Sequence, residues 1–288
     1  MLRHHGRYDF SPITRRPPFA WPGAKRLAVY VALNLEHYAF GEGLTEDLVA
    51  GMQQPDVLNY SWRDYGNRVG AWRLIELFEQ LELPVSVLVN TELYDHCPEL
   101  VAAFRMRGDE IAAHGRTNSE AQHSLDEAAE RQLITAVTRS IEHHEGEPPR
   151  GWLGPWIAET PLTPDLLQEA GYAYLLDWCA DDQPIWLKTR AGKILAVPYP
   201  QELNDSNAIV ARRMNATDFA DMIVDQFDEM LEQSAAQPLL MGIALHSYIV
   251  GQPFRLRHLR RALRHIATQR DSIWLTTAGN VARHFADT

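Results

Sequence analysis

The sequence predicts an α/β protein built as a (β/α) barrel, a distorted TIM-like barrel of seven or eight parallel strands. Three observations carry that expectation. Apolar runs of strand length recur along most of the 288 residues. Several runs are apolar throughout rather than alternating, as suits parallel strands buried on both faces. Amphipathic helical patterns separate most of them, which is the rhythm of repeated βα units. A doubly wound open sheet is the alternative with the same rhythm.

The elements follow in order. Residues 1–23 read as an irregular N-terminal arm, because Pro17, Pro18 and Pro22 forbid regular helix there. Residues 24–288 read as one barrel domain. Its strand candidates are 26–36, 84–90, 110–115, 151–155, 172–178, 194–200, 239–246 and 272–277. Helical periodicity marks 69–83, 93–108, 126–146, 217–236 and 254–269, with Gly108 and Gly146 placed to end two of them. The connection from His37 to Asn67 is too long for a plain βα loop and is expected to form part of the site.

Composition narrows the partners. The formal net charge of −11 argues against nucleic acid and anionic membrane surfaces. Hydrophobic residues make up 45%, enough to bury a large core. Cys97 and Cys179 form no CxxC pattern, so neither a disulfide framework nor a thiolate zinc site is expected. The N-terminal segment has no apolar core of a signal peptide, and no stretch approaches a membrane span. A cytoplasmic protein with a small-molecule substrate is the resulting expectation.

In a parallel barrel the chemistry collects at the C-terminal ends of the strands. The first strand candidate ends in Asn34-Leu35-Glu36-His37, and the third in His114-Gly115-Arg116-Thr117-Asn118. The fourth ends in Gly151-Trp152-Leu153-Gly154-Pro155-Trp156, the fifth in Asp177-Trp178, and the seventh in Leu245-His246-Ser247. A histidine exchanges protons near neutral pH, so His246 and His114 are candidate acid–base groups; a capping histidine at a strand end is the plainer reading of each. Glu36 follows an apolar run, where a carboxylate is costly unless paired, exposed in a cleft or functional. His143 and His144 suit a helix C-terminus. The basic helix carrying His258 and His265 reads as a solvated or subunit-contact face.

These stretches resemble the polysaccharide deacetylase (carbohydrate esterase family 4) superfamily, and most nearly its branch of cofactor-independent bacterial allantoinases. The resemblance runs from about Pro22 onward. Its most specific pieces are 60–74 (YSWRDYGNRVGAWRL), 181–186 (DDQPIW) and 245–255 (LHSYIVGQPFR). It implies that Glu36 takes the general-base position, His37 a metal position, His114 the first metal histidine and His246 the general acid. Asn118 stands where the second metal histidine would be. Gly151-Trp152 is kept without the arginine that follows it in the allantoinases. On this resemblance no cofactor is favoured. A zinc ion, if bound, would use Glu36, His37 and His114, with Asn118 a poor fourth ligand.

The resemblance therefore implies a hydrolase of a non-peptide carbon–nitrogen bond in a small, possibly cyclic, amide or ureide, with Glu36, His114 and His246 catalytic. Arg63, Asn67 and Arg116 are candidate donors to the oxyanion. Trp152, Trp156 and Trp178 are candidate apolar walls, and His37, Asn118 and Asp177 complete the expected substrate site. A metal-dependent deacetylase of an N-acetylated carbohydrate is the alternative enzyme, and a non-catalytic ligand-binding barrel is the second alternative. The resemblance also implies a homo-oligomer, a tetramer or dimer.

Overall fold

A computed structural model describes residues 4–288. The first strand, β1 (Leu27–Leu35), is buried along its whole length. Its side chains divide by parity, because successive residues of a strand point to opposite faces. Ala28, Tyr30 and Ala32 join the cluster inside the barrel. Leu27, Val29, Val31, Leu33 and Leu35 join the layer between the sheet and the surrounding helices. Both faces are covered, which is why the sequence shows a continuous apolar run there.

The chain continues through α1 (Val57–Tyr65), a π-turn at Gly66–Gly70 and α2 (Ala71–Gln80) to β2 (Val85–Val89). Next come α3 (Leu93–His96), α4 (Pro98–Arg107) and β3 (Glu110–Ala113). The expected single helix at 93–108 is thus two, parted where Pro98 opens α4. Then follow α5 (Glu127–Glu145), β4 (Gly151–Trp152), α6 (Thr163–Glu169) and β5 (Tyr174–Leu175). Gly108 and Gly146 both adopt the left-handed conformation that ends their helices. A hairpin of β6 (Ile185–Thr189) and β7 (Gly192–Ala196) leads to α7 (Ala216–Gln233). The chain closes with β8 (Leu239–His246), α8 (Ser247–Val250), α9 (Pro253–Ala267), β9 (Trp274–Thr276) and α10 (Ala278–Ala286).

The strands run in the order β6-β7-β5-β4-β3-β2-β1-β8, with β9 paired to the start of β1. Every pairing is parallel except that of β6 with β7. The distorted barrel expected from the sequence is therefore present. One strand, β6, was missed: its polar–apolar mixture hides it, and a two-residue turn rather than a helix joins it to β7. The ring is completed only loosely between β7 and β8, where an isolated parallel bridge joins Asn204 to Ala244. No helix among the described residues is long and apolar enough to cross a membrane.

The arm is anchored at several points. Trp21 is buried, and its indole N–H donates to the Leu239 carbonyl at 2.9 Å. The Arg7 guanidinium holds Asp165 of α6 at 2.6 Å, and Arg16 pairs with Asp181.

Candidate active site

Period-two alternation carries three titratable side chains into the same end of the barrel. Glu36 extends β1 in the parity of Ala28, Tyr30 and Ala32. His114 extends β3 in the parity of Ala112, and His246 ends β8 in the parity of Leu240 and Ala244. In the register of the sheet, Asn34 lies opposite His246. Strand β1 sits between β8 and β2, with β3 next, so Glu36 stands between the two histidines.

The distances follow from that placement. Glu36 Oε1 lies 3.5 Å from His114 Nε2 and 3.5 Å from His246 Nε2. Glu36 Oε2 accepts the hydroxyl protons of Tyr38 and Tyr248, each at 2.8 Å. All three titratable residues are buried, at 5%, 2% and 6% exposure for Glu36, His114 and His246.

Each group is held by a neighbour. His246 Nδ1 donates to Asp205 Oδ1 at 2.6 Å, and the His246 backbone N–H donates to Asp205 Oδ2 at 2.9 Å. His114 Nδ1 donates to the Leu153 carbonyl at 2.8 Å, which leaves Nε2 facing the site without a hydrogen-bond partner. Asn67, in the π-turn, donates to the Glu36 carbonyl at 2.8 Å. Asn90 accepts the His37 backbone N–H at 2.8 Å and donates to the His114 carbonyl and to Asn118 Oδ1. Gly115 is left-handed (φ 64°), and a Cβ there would meet Pro155 Cγ at 2.6 Å. Glycine is thus needed directly after His114.

Electrostatics set the proton positions. Burial alone would raise the Glu36 carboxyl, but the two histidines outweigh it and hold the group well below the usual carboxylate range. Burial opposes charge on His246 as well. The Asp205 and Glu36 carboxylates on either side nonetheless raise it far above an ordinary imidazole. Both shifts favour an ionised carboxylate beside a protonated imidazole.

The structure also separates residues that the sequence grouped. His37 has the opposite parity to Glu36; its ring stacks on His96 of α3 with centroids 4.2 Å apart. Burial and the charge of His96 push its pKa down to about 4. Trp152 faces the helix layer, edge-on to Tyr172, and is no wall of the site. Arg116 is exposed and pairs with Glu120. Arg63 is buried with its guanidinium 4.6 Å from the centre of the Tyr38 ring, and it donates to the Glu46 carbonyl at 2.6 Å. Asn67 grips backbone rather than facing a substrate.

Asn118 donates to the Tyr38 hydroxyl at 3.4 Å, and its carbonyl accepts the Trp156 indole N–H at 2.8 Å. Trp156 forms a half-exposed rim in a left-handed conformation (φ 63°) that is unusual for a bulky residue. Asp177 accepts the Gly154 N–H at 2.8 Å through Oδ1, while its Oδ2 is buried without a partner. Trp178 donates to Glu159. Four contributors were missed: Asp205, Tyr38, Tyr248 and Glu46. Tyr248 stands two residues after His246, so its place beside the site was within reach. Asp205 and Glu46 lie in irregular segments with no periodicity to reveal their direction.

No family model matches the chain. Over 98% of its length it is similar to PuuE allantoinase, at 28% identity, a TM-score of 0.85 and 99% coverage of that chain. A Pseudomonas aeruginosa PAO1 protein named for polysaccharide deacetylation is 29% identical, with a TM-score of 0.84, over 94% of this chain and 95% of that one. The fold is that of the polysaccharide deacetylases. A Schizosaccharomyces pombe protein, also named for polysaccharide deacetylation, is 26% identical over 95% of this chain and 93% of its own. Deacetylase and allantoinase relatives are hydrolases of non-peptide carbon–nitrogen bonds.

Deacetylases of this fold often depend on a metal. A zinc site takes about three N, O or S ligands plus water. Of the set Glu36, His37, His114 and Asn118, His37 points into the helix layer, and the Asn118 amide is engaged by Asn90 and Tyr38. Among the described residues no group of three or more His, Cys, Asp or Glu is placed to hold a metal. Of the four expected ligands only Glu36 and His114 face the site, fewer than the three that a zinc ion takes.

Proposed function

We propose that the protein hydrolyses a carbon–nitrogen bond of a small amide or ureide, cyclic substrates included. The observation that carries this reading is the convergence of Glu36 Oε1 on His114 Nε2 and His246 Nε2, with Asp205 behind His246. A base and an acid held side by side and unequal in proton affinity are what amide hydrolysis requires.

The steps balance as follows. The attacking water would donate to Glu36 Oε1, beside the unpartnered His114 Nε2. Glu36 takes a proton as the water oxygen bonds to the amide carbon. His246 Nε2–H protonates the leaving nitrogen as the carbon–nitrogen bond breaks. The proton on Glu36 then returns to His246 across their 3.5 Å separation. Asp205 fixes the imidazole ring and stabilises its charged form, as the acid partner of a catalytic histidine does.

Burial of the reacting groups supports a small substrate over a polymer. Glu36, His114 and His246 are at most 6% exposed, and Tyr38 and Tyr248 cover Glu36 Oε2, which suits a small substrate better than a glycan chain. The test is a turnover screen of allantoin, hydantoin, formamides and N-acetylglucosamine oligomers. Hydrolysis of a ureide or cyclic amide that disappears in His246→Ala, with the Tm kept, is the expected result. Turnover confined to the oligomers, or full activity in His246→Ala, overturns the reading.

A further inference from the structure

The long connection between β1 and α1, which the reaction above leaves unused, brings Glu46 to the edge of the site. Glu46 Oε2 lies 2.5 Å from the Tyr248 hydroxyl oxygen. The same hydroxyl lies 2.8 Å from Glu36 Oε2. A phenol carries one hydrogen, so it donates to one carboxylate oxygen only. The second contact needs another proton; otherwise two oxygen lone pairs would face each other at hydrogen-bonding distance. The Tyr38 hydroxyl does not supply it, because its proton goes to Glu36 Oε2 and it lies 3.4 Å from the Tyr248 hydroxyl. Geometry therefore requires a carboxylic acid at one end of the Glu36–Tyr248–Glu46 chain.

We propose that Glu46 is that acid: a positioning residue whose proton, donated to Tyr248, directs the Tyr248 hydroxyl onto Glu36 Oε2 and leaves Oε1 as the one basic oxygen of the site. The proposal rests on the hydrolytic reading for its effect on rate, but not for its structural content. Glu36 is poorly suited to hold this proton. Its Oε2 already accepts from Tyr38, and its Oε1 faces His114 and His246. Glu46 has fewer donors: Ser206 donates to its Oε1, and no cation reaches its carboxyl. The nearby Arg63 guanidinium is spent on the Glu46 carbonyl and Asp47. Burial raises the Glu46 carboxyl, and the charge of Glu36 adds to that effect while His246 opposes it. The titratable groups facing Glu46 are Glu36 and Tyr38 from the end of β1, Tyr199 from the segment after β7, His246 from β8, Tyr248 from α8 and Arg63 from α1. Asp205 stands behind His246.

When Glu46 ionises, the single Tyr248 proton turns to the nearer carboxylate at 2.5 Å, and Glu36 loses a donor. Glu36 then becomes a stronger base with less control over which oxygen reacts. Glu46 therefore gives the pH dependence of hydrolysis a break that a purely structural residue would not.

Two measurements test this. Infrared difference spectra of the whole protein, wild type minus Glu46→Gln at pH 7, should show the carbonyl band of a protonated carboxylic acid in the wild type. That readout needs no substrate, so it stands even where the hydrolytic reading fails. A difference spectrum without that band overturns the proposal. Kinetics with allantoin or hydantoin supply the second arm. Glu46→Gln keeps an N–H where the acid proton was and should retain at least about tenfold more kcat/KM than Glu46→Ala, the size of effect expected for a hydrogen bond serving a charged group. Its pH profile should lack an alkaline break seen in the wild type. Equal losses in the two variants, or an unchanged profile in Glu46→Gln, count against the proposal.

Discussion

Asp205 holds His246 at two points, taking the ring proton on Nδ1 at 2.6 Å and the backbone N–H at 2.9 Å. Ring and strand end are thereby locked together. Asp205→Asn keeps an acceptor but removes the charge that stabilises the imidazolium. The alkaline limb of kcat/KM should move to lower pH, and activity should fall by about 10²–10⁴-fold, the range for general acid–base catalysis. An unchanged limb would mean that His246 does not act as the acid. Stability follows the same sign. His246 is raised in the folded state, so its contribution is present below about pH 6.5, its unfolded value, and is lost as pH rises through the folded value. The Tm deficit of Asp205→Asn should be larger at pH 6 than at pH 10, as differential scanning calorimetry would show.

The helix that carries Tyr248 sits against a glycine. A Cβ on Gly66 would meet Ser247 Oγ at 2.6 Å and Tyr248 N at 2.7 Å. Gly66→Ala should therefore push α8 away from the π-turn and cost about 1–3 kcal/mol by overpacking. Because Tyr248 and Asn67 both hold Glu36, kcat should fall along with Tm. A loss of Tm with kcat intact would separate the packing from the site.

His37 tests the side-chain parity of β1. Its ring belongs to the His96 stack, so His37→Ala should leave kcat/KM close to wild type. A fall of about 10²-fold or more, the lower bound for losing an acid–base group, would place the ring in the reaction after all.

Asp177 and Glu159 form a separate acidic pair beyond β4 and β5. Burial pushes Asp177 up to about 7; burial and the Asp177 charge push Glu159 up to about 9. Both values exceed those of the unfolded chain, so the folded protein binds more protons and its stability falls as pH rises from about 4 through 9. Asp177→Asn should flatten that fall, giving a higher Tm than wild type at pH 9 and little gain at pH 5. A parallel shift at both pH values would rule out the titration as the cause.

Much of the fold was legible because burial on both faces writes itself into the sequence. The runs at 27–35 and 239–246 are apolar for that reason, and their last residues had to stand at the reactive end of a parallel barrel. Strand β6 escaped because its exposed Lys188 and half-buried Ile185 and Trp186 blur the pattern. The His37 assignment came from resemblance, whereas alternation along β1 already turned that side chain outward.

The sequence by itself determined the alternation of strands and helices and the strand-end positions of Glu36, His114 and His246, since hydrophobic periodicity is local and survives without knowledge of contacts. Only the tertiary structure decided how those three are held. Asp205 lies 41 residues before His246, and Tyr248 lies 212 residues after Glu36. Such partners meet through the curvature of the sheet and through irregular segments whose side-chain directions no periodicity encodes. The protonation of the site depends on those meetings, because burial and a neighbouring charge shift a titratable group only across distances of a few ångströms.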